Sequence, residues 1–189
     1  MTLITKMAIT DSFKKIVLKK PIGKITISDI TDDCGISRMT FYYHFQDVYE
    51  LVNWSFHYDL SEAVGEKKTY DTWQQGFLEV LNKFLSLKEY VLKIHQSDFR
   101  SHIENYFQCF AYDLLIDVIE AQAVEMDIDV LDADKQFIAN FYKYSFVGMI
   151  IDWATFNMRE DPQLLIDRLS VLIDGNIHKA LNVYCIDNK

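Results

Sequence analysis

Apolar residues recur at helical spacing along nearly the whole chain, and the breaks between runs divide it into segments. Ile4, Met7, Ile9, Phe13, Ile16 and Val17 predict a helix over 2–20, which Pro21 and Gly23 end. Two short helices follow. Ile27, Ile30 and Cys34 line one face of the first, and Thr26 and Asp29 have the spacing of a capping box. Gly35 allows a left-handed turn, Ile36 plugs the gap, and Ser37 caps a second helix over 38–44. Asp47 with Glu50 opens a fourth helix, carried by Leu51, Trp54, Phe56, Tyr58 and Leu60 to about Gly65.

After a boundary near Gly65, Asp71 with Gln74 opens a helix through Trp73, Phe77, Leu81 and Phe84. A short segment covers 90–94, and Ser101 with Glu104 opens a long helix to about Met126. An acidic loop over 127–134 precedes a last pair, 134–158 and 162–184. Asp161 as cap and Pro162 at the first helical position start the second of these. Only 2 prolines and 6 glycines interrupt 189 residues, so the expected fold class is all-α.

Two helices as short as 27–34 and 38–44 cannot bury their own apolar faces and must lean on neighbours. A helix-turn-helix of this kind lays its second helix in the DNA major groove. The string SRMTFYYHF, preceded by ISDITDDCGI, resembles the DNA-binding segment of the TetR family of bacterial transcriptional regulators, and the match is densest over 8–51. The resemblance implies a helix-turn-helix DNA-binding domain at 1–48, followed at 49–189 by a helical bundle for effector or partner binding and for dimerisation. It also implies a homodimer on a double-stranded DNA operator. The stretch Tyr144–Pro162 resembles a subgroup associated with dihydroxyacetone utilisation operons.

Charge sharpens the picture. The net charge of −9 is unevenly spread: seven basic and six acidic groups leave +1 on residues 1–50, and twelve and twenty-two leave −10 on the rest. A near-neutral head on an acidic body suits recognition of one DNA site through a small face, not coating of DNA. Arg38 is the arginine of the head and can bond a guanine bidentately. Met39 shares its helix, and Thr40 can touch a thymine methyl or a phosphate. Tyr42, Tyr43 and His44 can reach phosphates, as can Lys24 and the caps Thr26 and Ser37. Phe41 and Phe45 read as core. In the family the start of the fourth helix usually carries lysines near the DNA backbone. Here it reads Gln46-Asp47-Val48, which predicts a weaker electrostatic contribution.

The segment 134–158 is apolar nearly all round, as in a helix buried on more than one side. Gly148 and Gly175 allow close helix approach. In the family the last two helices form a four-helix dimer interface, which assigns Gly148, Ile151, Leu169, Leu172, Ile173 and Ile177 to the twin contact. Phe107, Phe110, Tyr142 and Trp153 are candidates for an aromatic effector pocket, although aromatic stripes at this spacing more often describe a core. No polar anchor for a small sugar-like metabolite stands out. Two entries for the signal therefore stay open, a small molecule in the body or a sensor protein docked on it.

Other function classes lose support. No apolar run reaches 18 residues, so no membrane partner is expected, and the N-terminus lacks a signal-peptide pattern. Cys34, Cys109 and Cys185 form no CxxC pair, which fits a reducing cytoplasm. The five histidines form neither HExxH nor a His/Cys cluster, and no glycine-rich phosphate loop occurs, so no metal, cofactor or enzymatic activity is expected. The competing reading is a protein-interaction module with a weak or vestigial DNA-binding head.

Overall fold

Ile9, Phe13 and Val17 succeed one another at single-turn spacing on the inner face of α1 (Thr2–Val17), and all three are fully buried. The computed structural model describes residues 2–186; Met1 and 187–189, the ends of the two expected segments, lie outside the described residues. α1 stops at Val17, short of the expected 20. A lysine from far along the chain caps that end: Lys93 Nζ donates to Val17 O at 3.1 Å and Leu18 O at 2.6 Å, satisfying carbonyls the helix end leaves free.

A 3₁₀ turn at Ile22–Lys24 leads to α2 (Ile27–Cys34), α3 (Arg38–His44) and α4 (Val48–Val64). The body holds α5 (Trp73–Ser86), α6 (Lys88–His95), α7 (Arg100–Glu125), α8 (Asp132–Thr155), α9 (Pro162–Ile173) and α10 (Asn176–Tyr184). The described residues form no named strand; a single bridge pairs Val130 with Cys185. There Ile186 N also donates to Asp129 O at 2.9 Å, tying the chain's end to the loop between α7 and α8. No helix among the described residues is long and apolar enough to cross a membrane.

One apolar cluster runs from α1–α4 into α5–α9 without a gap at residue 48. Tyr90 of α6 is its hinge stone: Phe13 of α1 meets it edge-on at 6.3 Å and Phe56 of α4 stacks on it at 5.5 Å. Phe84 and Phe107 extend the same aromatic packing into the body. A second cluster gathers Ile119, Ile138, Tyr142, Phe146, Leu169, Ile173, Ile177 and Leu181 between α7, α8, α9 and α10.

Several boundaries differ from the sequence pattern. The expected single helix over 162–184 is two helices, because Gly175 takes a left-handed φ of 74° and its N–H donates to Tyr70 Oη at 3.0 Å. Gly175 thus breaks the helix instead of permitting a close approach. α8 begins at Asp132 and α7 at Arg100, each a residue or two early.

Candidate nucleic-acid interface

The turn of the helix pair is built by short local hydrogen bonds. Asp29 N donates to Thr26 Oγ1 at 3.2 Å and Thr26 N to Asp29 Oδ2 at 2.7 Å, completing the capping box of α2. Gly35 then turns the chain at φ 69°. Ser37 Oγ accepts from Thr40 N at 3.0 Å and fixes the start of α3. Phe41 and Phe45 turn inward, 0 % and 1 % exposed, with ring centroids 5.9 Å apart.

That anchoring leaves one side of α3 outward. Met39 is 83 % and Tyr43 80 % exposed, and Arg38 and Tyr42 are exposed beside them. Apolar surface left so bare on a rigidly seated helix marks a contact face. His44 is half-buried, its ring edge-on to Tyr43 at 5.0 Å. Thr40 is half-buried, and its hydroxyl lies 2.9 Å from that of Ser37 at the N-terminus of α3. Thr26 and Lys24 are exposed at the preceding turn. The residues expected to touch DNA therefore lie on α3, its cap and the turn before α2.

The head's lysines are largely committed elsewhere. Lys15 pairs with Asp33 at 2.6 Å and Lys20 with Asp29 at 2.7 Å. Lys20 and the Thr26 hydroxyl hold the Asp29 carboxyl well below the usual carboxylate range. The start of α4 is closed by its own carboxylates: Asp47 Oδ1 accepts from Glu50 N at 2.9 Å and Glu50 Oε2 from Gln46 N at 2.6 Å. Lys6 is turned over the rings of Phe45 and Trp54, at 5.1 and 5.4 Å. Arg38, Lys19 and Lys24 are the exposed head cations without an ion pair among the described residues.

A buried carboxylate that the sequence pattern did not reveal joins head and body. Asp59 on α4 is 5 % exposed; its Oδ2 lies 2.6 Å from Lys14 Nζ of α1 and its Oδ1 3.3 Å from Lys83 Nζ of α5. Beside it the buried Tyr90 hydroxyl is pushed well above its ordinary pKa by burial.

The expected effector residues do not converge. Phe107 packs on Phe56 and Phe84, Phe110 on His57 and Tyr106, Tyr142 in the second cluster, while Trp153 Nε1 donates to Glu160 O at 2.9 Å. Phe107, Tyr142 and Trp153 are core because they lie on the inward sides of α7 and α8. A partly open, mainly apolar cavity of about 100 Å³ lies instead between Val64, Trp73, Phe77, Val80, Leu114 and Phe146, with Lys67 and Lys68 at its wall. The expected twin-contact set also divides. Leu169, Ile173 and Ile177 are 3–7 % exposed and belong to the protomer's own second core, so they present no surface to a twin. Leu172 is exposed, as is Gly148, and Ile151 is half-buried. The outward face of α8 and α9 is Phe137, Phe141, Tyr144, Leu164, Val171 and Leu172, each more than half exposed.

Comparison with known proteins agrees with this architecture. A TetR-type family model, described as transcriptional regulator C-terminal region, matches residues 71–175. The HTH-type dhaKLM operon transcriptional activator DhaS of Lactococcus lactis subsp. lactis (strain IL1403) is 30 % identical over 140 residues, 74 % of each chain. Among solved structures, a dihydroxyacetone kinase operon activator DhaS superposes with a TM-score of 0.70 at 24 % identity, over 97 % of this chain and 99 % of the other. NalD, the secondary repressor of the MexAB-OprM multidrug efflux pump in Pseudomonas aeruginosa, superposes at 0.60 with 15 % identity, over 95 % and 98 %. With a family match over more than half its length and a helix-turn-helix whose second helix stands bare, the chain belongs to the TetR family of transcriptional regulators.

Proposed function

We propose that the protein is a homodimeric, cytoplasmic repressor or activator that binds a palindromic operator through α3 and controls a metabolic operon, with residues 1–48 reading DNA and 49–189 receiving the signal. The relative named as activator of the dhaKLM operon makes dihydroxyacetone utilisation the operon we favour. The observation that carries the DNA reading is the outward row Arg38, Met39, Tyr42 and Tyr43 on a helix seated by Phe41. Arg38 and Met39 address base edges; Tyr42, Tyr43, His44, Ser37, Thr40, Thr26 and Lys24 address the backbone. The purified protein should shift a duplex from its own upstream region in a gel assay and leave random duplex unshifted. Arg38→Ala should weaken that complex by about 1–3 kcal/mol if the arginine reads a guanine. Equal wild-type affinity for both duplexes would favour the second reading, an interaction module with a vestigial head, to which the internally paired lysines lend support.

The apolar face of α8 and α9 is the surface we assign to the twin. An added Cβ at Gly148 meets nothing within 4 Å in the protomer, so Gly148→Leu should leave the fold intact. It should nevertheless weaken the dimer by about 1–3 kcal/mol, as overpacking does. Sedimentation of the variant as a dimer of unchanged affinity would move the contact off this glycine.

For the signal, the cavity of about 100 Å³ is small beside ordinary ligand sites of roughly 300–1,000 Å³, and apart from Lys67 and Lys68 its lining is apolar. A small hydrophilic ketone gains little there. We therefore favour a separate sensor protein docking on the acidic body. Dihydroxyacetone alone should leave both melting temperature and DNA affinity unchanged; a saturable rise in melting temperature would place the sensor inside this chain.

A further inference from the structure

Lys143 is the least explained charge in the body. It lies on α8 and is 9 % exposed. Its ammonium donates to Asn140 Oδ1 at 2.8 Å and lies 4.2 Å from the ring centroid of Tyr144 and 5.8 Å from that of Tyr112. Among the described residues no carboxylate comes within the 4.0 Å of an ion pair. Two rings and one amide stabilise a cation but do not neutralise it. Lysine packs its methylene stem and turns its ammonium to the polar edge, so the open cleft that Lys143 lines is where an ionic partner would sit.

The space beside Lys143 has the chemistry for one. An open cleft of about 470 Å³ between α7 and α8 is lined by Asn105, Gln108, Tyr112, Asn140 and Lys143, with Cys109 and the exposed Asp113 also on its wall. Three side-chain amides, a phenol and an ammonium supply many donors, the set that holds an oxyanion. Asp113 brings the one opposing charge, which suits an anion carrying a hydroxyl that can donate to it. The cleft is separate from the apolar cavity, with which it shares no lining residue. Lys143 and Gly148, five positions apart on α8, point about 140° away from each other at 3.6 residues per turn, and Tyr144 stands between the lysine and the face assigned to the twin.

We propose that this cleft is a binding site for a small organic anion, a carboxylate or a phosphate, with Lys143 as its counter-charge and Asn105, Gln108 and Asn140 as hydrogen-bonding partners. The site goes beyond DNA recognition and does not depend on it. The test is a titration of the full-length protein with lactate and, separately, with inorganic phosphate, at constant ionic strength set with chloride. Binding is followed by calorimetry and by the NMR signals of side-chain amides. Saturable binding of either anion, with shifted amide signals from Asn105, Gln108 and Asn140, is the expected result, and which anion binds identifies the source. Lys143→Met should weaken it about tenfold or more, the scale of a lost charge-assisted hydrogen bond. Asn105→Ala, at an exposed position, should weaken it several-fold and carries the test if Lys143→Met fails to fold. Failure of both anions to saturate, or affinities unchanged in Asn105→Ala and Lys143→Met, would overturn the proposal. DNA binding read in the gel assay is a separate outcome.

Discussion

Asp59→Ala is expected to lower unfolding stability by about 3 kcal/mol, measured by urea denaturation. Removing one partner of a buried ion pair costs about 3–5 kcal/mol, because the charge left behind has no compensation. Here the lysines left behind are Lys14 and Lys83, with side chains 19 % and 30 % exposed, so water offsets part of the loss and the low end of the range applies. Lys14→Met combined with Asp59→Ala should recover some of the stability, since contacting residues couple by about 0.5–3 kcal/mol. A single-variant loss below about 1 kcal/mol would mean that the triad behaves as a surface pair. Because Asp59 grips α1 and α5 at once, the variant should also loosen the angle at which the head is held. Its DNA affinity should therefore fall further than its stability alone explains.

Phe41→Ala should do still more damage, about 3–5 kcal/mol, the usual range for deleting a buried phenylalanine. The side chain is fully buried and meets Phe45 and Tyr42. α3 has only 7 residues and cannot persist as a helix without that anchor. Against a typical total stability of about 5–15 kcal/mol, the loss is enough to unseat the recognition helix. Phe41→Leu, which keeps most of the volume, should retain both fold and DNA binding. If Phe41→Ala unfolded at nearly the wild-type urea midpoint, α3 would have to be held by something other than its aromatic plug.

What the sequence made legible was mainly local, although two local signals failed: the cap positions of α5 and α7 are Thr72 and Phe99, without a side-chain cap bond, not Asp71 and Ser101. The Thr26–Asp29 box, the Ser37 cap and the Asp161-Pro162 start consist of residues two or three apart, and the structure forms the hydrogen bonds their types imply. The inward placement of Phe41 and Phe45 followed from one helical period. Asp59 was invisible because Lys14 lies 45 positions away, and Lys93 likewise reaches carbonyls 75 and 76 positions back. Glycine was ambiguous: at Gly175 the same residue type that permits close packing supplied a left-handed break. Apolar periodicity failed on α8 and α9 for a related reason. A helix that buries one side and leaves another apolar side bare gives no sequence mark telling Ile173 from Leu172.

The uninterrupted core has a practical meaning for anyone rebuilding this regulator. A head whose Phe13 leans on Tyr90, and whose α1 terminus is fastened by Lys93, is not a plug-in cartridge. Grafting another regulator's first 48 residues onto this body would match foreign side chains to half of a seam shaped for its own. Operator specificity is better re-engineered on the outer row of α3 alone, where Arg38, Met39, Tyr42 and Tyr43 can be exchanged without touching that seam.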